Sequence, residues 1–566
     1  MRYYNVIAIL ALLMPLIAHN ELSAQENKRV EITATYRPEI SPATKLTAPT
    51  DMDEAPSLDI DIDYDIRPDT WSIDLKDHNF DAASATYWDY NRARPFYLRL
   101  GAGAPLGSDV KFRYLTQNSR VGYFGIGVDH DGGFTSQSNI LGVDRPISQS
   151  YDMRNSLALN GGAYVGRQMF EASLSGSYDV YNRYAELSDN PFRAQFGRAA
   201  LSLSYGDDFS DLSRLNFAIE AHGDYWMHPL PMTTDEKLSY GEYNAGGSVE
   251  LGRAFSENYV GINLNYDMWA GGNMLDYGNV RFGGGVEYAR HIGIVDLALG
   301  VGYLYDKVRG RDKASHFVLP HAKLLFDLRK ASFAPYIEFD TEVSQNSASA
   351  LYDYNPYIAA ETMNDVFRTM PNSRSYNLVA GFTGTLASAR FAYRAYVGGE
   401  FARDYIFWYV ASPGLFGAVA ADNNRLRLGA ELEYRPVGNL LIGAGVHYHL
   451  DFHDKDVVNC EPEFVADALV EYRLRRWTFY VMSDIIGSRS WAYYGLMDEE
   501  SNPLIAMSTP VKIDLRAGIS FRVSHTVDIY VDGYNLLNRT DSTAIYDWAY
   551  YYRNGIGFMA GVKLNF

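Results

Sequence analysis

The sequence predicts an all-β fold, a transmembrane antiparallel up-and-down β-barrel of about 22 strands behind a short, mostly extended N-terminal segment. Three observations predict it. Apolar and polar residues alternate along most of residues 96–566, and short and long connections alternate between the candidate strands. Tyrosine and glycine are abundant, with 45 and 48 of the 566 residues. Counts of 18 or 20 strands remain compatible with this pattern.

The first residues have the three parts of a secretory signal peptide, which we place at residues 1–24. Arg2 is the cationic start, Val6–Ala18 is the apolar run, and Ser23 and Ala24 are the small residues before the cleavage point. The apolar run is shorter than the ~20 residues that a membrane-spanning helix needs, which disfavours an anchor helix. The sequence therefore predicts an exported protein.

Residues 25–95 are rich in proline and acidic residues and have few positions that could build a core. We interpret them as an extended or loosely folded periplasmic or lumenal segment. Cys460 is the only cysteine, so no internal disulfide is expected. The formal net charge of −19 argues against nucleic-acid partners, which need a basic surface.

From Phe96 onward the chain reads as two-faced strands, and residues 96–566 are predicted to form the barrel. Every second residue is apolar, and the residues between are charged or small. This period of two predicts strands with one apolar and one polar face. The clearest examples are residues 425–435, 465–474, 511–522 and 527–533.

The connections between candidate strands alternate in length. Short ones are predicted at 104–109, 166–168, 290–293, 386–389, 436–439, 473–476 and 523–526. Long ones are predicted at 130–150, 183–193, 226–237, 268–279, 346–372, 404–424, 452–462, 487–510 and 538–554. Bacterial outer-membrane barrels have short periplasmic turns and long outer loops. A soluble propeller, the alternative, needs a blade-length repeat that this chain lacks.

The polar strand faces are predicted to line the lumen with charges of both signs. The residues are Arg425, Arg427, Glu431, Glu433, Asp467, Glu471, Lys512, Asp514 and Arg516. Two interpretations remain open: paired charges that brace a wide barrel, or a selective polar channel.

One cluster has the chemistry of a metal site. His447, His449, Asp451 and His453 share one strand face beside an outer loop. Imidazoles at i and i+2 can converge on one zinc or copper ion. All four residues cannot bind the same ion, because the Cα atoms of the first and the last lie about 20 Å apart. The hypothesis is a divalent-metal site at the outer rim, built from two of these histidines and a loop ligand. The alternative is ordinary polar residues of the lumen, and no other cofactor is expected.

Aromatic residues in the outer loops form a candidate recognition surface for sugars or another protein. They are Tyr352, Tyr354, Trp491, Tyr493, Tyr494, Trp548 and Tyr550. The alternative is an aromatic girdle at the bilayer interface together with packing among the loops. No nucleophile elbow, metalloprotease, phosphate-loop or calcium-loop motif is present, so no enzyme is predicted.

The chain ends on the strand "GIGFMAGVKLNF". Its apolar row includes Phe558, Val562, Leu564 and Phe566, and we predict that this row faces lipid. A strand ending at Phe566 is expected to close against the first strand near Phe96, which removes the edges of the sheet. The same residues are similar to the terminal signal that the outer-membrane insertion machinery reads.

The last residues resemble the end of TonB-dependent receptor barrels. They contain the "NLLN" stretch of Asn535–Asn538, an aromatic last loop and a final strand ending on Phe. The resemblance implies the cell outer membrane, contact with lipid and lipopolysaccharide, and a role in solute passage or uptake. Residues 25–95 are too few for that family's plug domain, so the chain looks like the plugless barrels of Bacteroidota.

Two partner hypotheses stay open beside this resemblance. Glu31–Thr35, "EITAT", has the composition of a TonB box, so TonB itself is a candidate partner. The alternative function is a non-transporting structural, assembly or surface-recognition subunit of an outer-membrane complex. Such a subunit would bind a surface-exposed or periplasmic protein.

Overall fold

A computed structural model gives the fold. It describes residues 94–118, 121–137, 147–183, 192–229, 239–326, 328, 332–386, 390–454, 456–499, 502–538, 548, 550–551 and 555–566. The predicted signal peptide, the TonB box and nearly all of the N-terminal segment lie outside the described residues.

The described residues form strands almost throughout, with two short helices. The strands are β1 Phe96–Ala104, β2 Gly107–Asn118, β3 Gly122–Gln137, β4 Ile147–Val165, β5 Gln168–Arg183, β6 Phe192–Gly206, β7 Asn216–Pro229, β8 Ser239–Phe255, β9 Asn258–Asn273, β10 Gly278–Ile292, β11 Val295–Val308, β12 Ser315–Phe326, β13 Ala334–Ser344, β14 Ser373–Leu386, β15 Phe391–Ser412, β16 Leu415–Val437, β17 Leu440–His453, β18 Phe464–Leu474, β19 Trp477–Ile486, β20 Arg489–Met497, β21 Pro503–Thr509, β22 Lys512–Arg522, β23 Val527–Tyr534 and β24 Gly557–Asn565. The helices are α1 Ala348–Tyr354 and α2 Ala360–Thr369.

Twenty-two of these strands form one closed antiparallel ring. Strands β1 to β19 pair in chain order, β19 then pairs with β22, and β24 pairs with β1. Strands β20 and β21 form a separate hairpin inside the connection from β19 to β22. The predicted barrel of about 22 strands is confirmed.

The two ends of the ring differ as predicted. Turns of two residues join β4 to β5, β8 to β9, β10 to β11, β16 to β17 and β18 to β19 at one end. The opposite end carries the longest connections, including residues 345–372 with both helices. We call this opposite end the outer mouth. The first connection there, residues 105–106, is short, as its sequence predicts.

Three predicted connections are more ordered than expected. Residues 404–424 form the paired outer ends of β15 and β16, with a turn at 413–414, and 268–279 are mostly strand. Residues 487–510 contain the β20–β21 hairpin. The 404–424 prediction was wrong because this extension is buried on both faces, as Phe407 and Trp408 show. A strand that is apolar on both sides loses the period of two.

Large apolar side chains cover the outside of the ring. Leu157, Leu174, Leu264, Val301 and Val318 are each about half exposed in the isolated chain. An apolar surface this extensive marks contact with lipid. None of the described helices is long and apolar enough to cross a bilayer.

The ring closes where the last strand meets the first. The Phe96 amide donates to the Phe566 carbonyl at 2.9 Å, and the Phe566 amide donates to the Phe96 carbonyl at 3.0 Å. The two phenyl rings stack with centroids 5.3 Å apart. Closure near Phe96 is therefore observed, and Phe558 and Phe566 point outward, as expected of a lipid-facing row.

On the lumen side, Arg99 of β1 reinforces this closure. Its Nε donates to Tyr530 of β23 at 3.1 Å and lies 2.6 Å from Asp109 of β2, while its Nη2 is 3.3 Å from Asp532 of β23. Arg99 can reach β23 because the intervening strand β24 presents Gly561. A Cβ atom there would lie 2.7 Å from the Tyr530 hydroxyl and 2.0 Å from a backbone oxygen.

We predict that Gly561→Ala destabilises the barrel by about 1–3 kcal/mol, because the added methyl group overpacks the closure. The temperature at which the folded band disappears on a denaturing gel should fall. Gly557→Ala is the matched control on the same strand, since its Cβ would meet nothing closer than 3.7 Å. Equal melting of the two variants would contradict this account of the closure.

Candidate functional site

The lumen face of β7 changes character toward the outer mouth. Along this face Glu220, His222 and Asp224 are followed by Trp226 and His228. Trp226 and His228 are almost fully buried, although the same face carries charged residues farther from the outer mouth. Something must therefore cover the wall at this height.

The neighbouring strands extend these two rings into an aromatic patch, defined by Phe196, Trp226, His228 and Tyr240. Phe196 of β6 stacks on His228 with centroids 4.5 Å apart and on Trp226 at 6.1 Å. Tyr240 of β8 meets His228 at 6.3 Å. All four side chains are buried, so the patch is a docking surface inside the barrel.

The two helices of the β13–β14 connection cover this patch. Tyr352 of α1 lies 4.9 Å from the His228 ring and 5.5 Å from the rings of Phe196 and Trp226. Phe367 of α2 meets Tyr240 at 6.2 Å. Because β6 is seven strands from β13 in the ring, the connection crosses the mouth instead of following the wall.

The far side of the same connection binds the β15–β16 extension. The Phe416 amide donates to the Tyr357 carbonyl at 3.0 Å, and the Ala359 amide donates to the Phe416 carbonyl at 2.8 Å. Tyr551, from the last outer connection, stacks on Tyr357 at 3.5 Å and donates to the Gly414 carbonyl at 2.8 Å. Strand β16 is ten strands from β6 in a ring of 22, so these contacts span the mouth.

We call this buried assembly the loop core. Its central members are Trp226, Tyr240, Tyr352, Ile358, Phe416, Trp491 and Tyr551.

A buried carboxylate fixes α1 to the wall. Glu242 of β8 is 0% exposed and accepts hydrogen bonds from the Tyr277 hydroxyl, the Ser349 amide at 3.1 Å and the Ser349 hydroxyl at 2.5 Å. Burial and the adjacent carboxylate raise the pKa of Tyr277 well above its usual value, which keeps this phenol a donor. A buried carboxylate is tolerated only with such partners.

A second polar contact lies beside the first. The Nη2 atom of Arg198 on β6 is 2.8 Å from the Asp353 carboxylate on α1, and its Nε is 3.8 Å from Asp224 on β7. Arg198 therefore joins α1 to the charged wall below the aromatic patch. The α1 helix is thus held by polar contacts as well as by apolar packing.

The predicted lumen charges mostly face partners of opposite sign. Arg425 is 2.6 Å from both Asp451 and Glu461, and Arg516 is 2.9 Å from Asp514. Other pairs are Arg427 with Glu400 at 3.7 Å, Arg516 with Asp484 at 3.1 Å, Arg435 with Glu433 at 2.8 Å and Arg473 with Glu471 at 2.5 Å. His447 lies 3.8 Å from Glu431. Asp467 lies opposite Asp484 in the β18–β19 register, and Lys512 lies opposite Ile486. This pairing is the arrangement expected of bracing charges, and a selective channel stays a prediction.

The predicted metal ligands are engaged in other contacts. Asp451 binds Arg425 and lies 3.5 Å from His449, and His447 shares a hydrogen bond of 3.1 Å with Tyr396. His453 meets the Asp454 backbone carbonyl at 2.9 Å. Within the described ranges no three His, Cys, Asp or Glu side chains are placed to hold one ion. A rim metal site completed by another ligand stays a prediction.

The outer-loop aromatics divide into two groups. Tyr352, Trp491, Trp548 and Tyr550 are buried in the loop core, and Tyr493 packs against it. Tyr354 and Tyr494 are each 53% exposed. Recognition through the exposed pair stays a prediction. The sequence predicted packing among the loops only as the alternative for these aromatics, and it did not predict the contact with the wall. The step from Asp224 to Trp226 on one strand face was a usable signal.

We predict that Ser349→Ala loosens the loop core, because it removes a hydrogen bond to the buried Glu242 carboxylate worth about 1.5–3 kcal/mol. Limited proteolysis should then cleave the 345–372 connection faster than in the wild type. Ser344→Ala is the matched control, since Ser344 is exposed at the end of β13. Unchanged cleavage of Ser349→Ala would show that Glu242 does not hold the helix.

Comparison with known proteins gives matches in structure only. No protein-family model and no curated protein matches the sequence. The FrpB iron transporter from Neisseria meningitidis (F3-3 variant) matches with a TM-score of 0.67 and 12% identity, over 84% of this chain and 82% of that chain. The copper transporter OprC matches with a TM-score of 0.62 and 13% identity, over 84% and 81% of the two chains.

A third match is the siderophore receptor PirA from Acinetobacter baumannii, with a TM-score of 0.62 and 10% identity over 83% of this chain and 80% of that chain. At such low identity these likenesses show the fold. The apolar side chains on the outside of the ring and the closure of the ring agree with this fold. The chain therefore has the fold of the TonB-dependent outer-membrane receptors, a closed antiparallel β-barrel.

Proposed function

We propose that the barrel carries a polar solute inward across the outer membrane and that the loop core closes its outer mouth between passages. One observation carries this proposal. A lumen wall of charged and hydroxyl-bearing side chains lies beneath a cover that is joined to the wall by side-chain contacts. A polar lumen suits a hydrophilic solute, and a non-covalent cover can move.

The polar contacts of α1 make such movement possible. Glu242 and Arg198 both lie on the wall, whereas Ser349 and Asp353 lie on the connection that would leave it. Breaking these contacts exposes charged groups that the lumen can solvate. Opening then leaves no charged group buried without water, and its main free-energy cost is the separation of the apolar side chains of the loop core.

The structural neighbours support uptake as the direction of transport. The matched proteins are described as an iron transporter, a copper transporter and a siderophore receptor. We propose no catalytic role for this chain, in keeping with the transporters and the receptor that it resembles in fold. Binding of TonB to Glu31–Thr35 is part of the same proposal.

A second candidate function is a non-transporting recognition or assembly subunit. The dense packing of the loop core favours it, because Ile358, Phe416 and Trp491 are completely buried. A rigid cap of this kind would present a fixed surface to a partner protein. The two functions differ in whether the mouth opens.

Planar-bilayer recording separates them. We predict that Ser349→Ala/Asp353→Ala raises the conductance of the purified barrel, and that deleting residues 26–95 raises it further. A loss of about 1.4 kcal/mol in docking free energy increases the open fraction about tenfold while the closed state dominates. Ser344→Ala should conduct like the wild type. The decisive protein carries Ser349→Ala/Asp353→Ala and also lacks residues 26–95. If it is folded and still does not conduct, transport is contradicted and the second candidate stands.

A further inference from the structure

The β20–β21 hairpin, which we call the outer hairpin, has two unlike halves. Its inner half is buried, with Trp491 at 0% and Ala492 at 5% exposure. Its outer half exposes large apolar side chains. They are Tyr494 at 53%, Leu496 at 52%, Met497 at 42%, Leu504 at 41% and Ile505 at 45%.

This outer half lies beyond the lipid. Strand β15 pairs with β14 only as far as Arg403, and the 13 residues from Phe391 to Arg403 already exceed the ~9–11 that cross a bilayer. Val410, a further seven residues along β15, pairs with Tyr493 of the hairpin. At ~3.3 Å per residue this is about 23 Å of strand past the end of β14. Lipid therefore does not explain the exposed apolar side chains.

The hairpin also has a free edge. Strand β20 pairs with β21 and meets β15 at Tyr493. Strand β21 pairs with β20 alone among the strands of the described ranges. Its other edge presents backbone donors and acceptors beside Leu504 and Ile505. An apolar strand with an open edge is a template for an added strand.

The charge of the hairpin turn adds a third property. Asp498 and Glu499 are exposed where the hairpin turns, next to the first residue of β21, Pro503. Charges of this sign attract basic groups on an approaching chain. The three features together describe one kind of ligand.

We propose that the outer hairpin binds an extended segment of another protein, which adds as a strand to the free edge of β21. Successive residues of a strand point to opposite faces, so the alternate apolar side chains of the segment lie against either Leu504 or Ile505, and a basic residue lies beside Asp498 and Glu499. Backbone hydrogen bonds supply affinity, and the apolar and basic side chains supply specificity.

A second copy of this chain fits the same surface less well. Two barrels in one membrane are related by rotation about the membrane normal, so their β21 strands would run parallel. This places the Asp498 and Glu499 carboxylates of both copies side by side. Like charges at close range are destabilising, so the geometry favours a different protein.

The test measures binding of a synthetic peptide to the full-length protein in detergent by fluorescence anisotropy. The probe is Lys-Val-Thr-Val-Thr-Val-Thr-Val-Lys. We expect Leu504→Thr/Ile505→Thr, which keeps strand propensity but removes apolar surface, to weaken binding at least tenfold. Leu106→Thr is the matched control, because Leu106 is exposed in the β1–β2 turn at the same end of the barrel. Its affinity should equal that of the wild type.

Two further probes test the backbone and charge components. A peptide N-methylated at alternate residues should not bind, and the version with Glu in place of Lys should bind at least tenfold more weakly. Asp498→Asn/Glu499→Gln should abolish that preference while Asn retains the turn acceptor used by the Asn502 amide. Equal binding of all peptides, or of the hairpin variant and the wild type, would overturn the proposal.

Self-association is tested separately by disulfide cross-linking. The Leu496→Cys variant is placed in liposomes, where two hairpins in contact would form a disulfide bond. Native Cys460 does not interfere, because it is 2% exposed and burial raises the pKa of its thiol to about 11. A disulfide-linked dimer would identify a second copy as the occupant and overturn the proposal. We expect monomers.

Discussion

The closure between β1 and β24 is the interaction on which the rest of the structure depends. In lipid every backbone donor and acceptor needs a partner within the chain, so an open sheet edge is not tolerated. The reciprocal hydrogen bonds between Phe96 and Phe566 remove the last edge. Arg99 then ties β1 to β23 through Tyr530 and Asp532, over the gap that Gly561 leaves. Backbone and side chains thus close the ring at the same place.

Once the ring is closed, alternation assigns each residue to lipid or lumen. Most charges that face the lumen lie close to a charge of opposite sign, either on the same strand or on a neighbouring one. Arg425 between Asp451 and Glu461 is the densest example, at 2.6 Å from each. A pair of this kind holds strands and loop in fixed positions, because leaving one partner alone would cost several kcal/mol.

Local patterns in the sequence predicted the wall, and non-local contacts account for what they missed. Turns such as 438–439 and 475–476 follow from short breaks in alternation, which neighbouring residues encode. The loop core depends on partners far apart in the chain, as with Tyr352 and Trp226 or Tyr357 and Tyr551. Burial on both faces hid the strand at 404–424. The role of Glu242 depends on Ser349, which lies 107 residues away in the chain, so no local pattern marks it.

The position of the aromatic residues bears directly on recognition. Aromatics in outer loops suggested a binding surface, yet Trp491 and Tyr352 are buried in the cover of the mouth. A side chain packed in that cover cannot contact a ligand while the mouth is closed. Recognition in the closed state must therefore use groups outside the loop core, and the outer hairpin exposes Tyr494 and Leu496 there. Trp491 lies on the same strand, inside the loop core. A ligand that pulls on this hairpin would therefore act on the packing of the loop core.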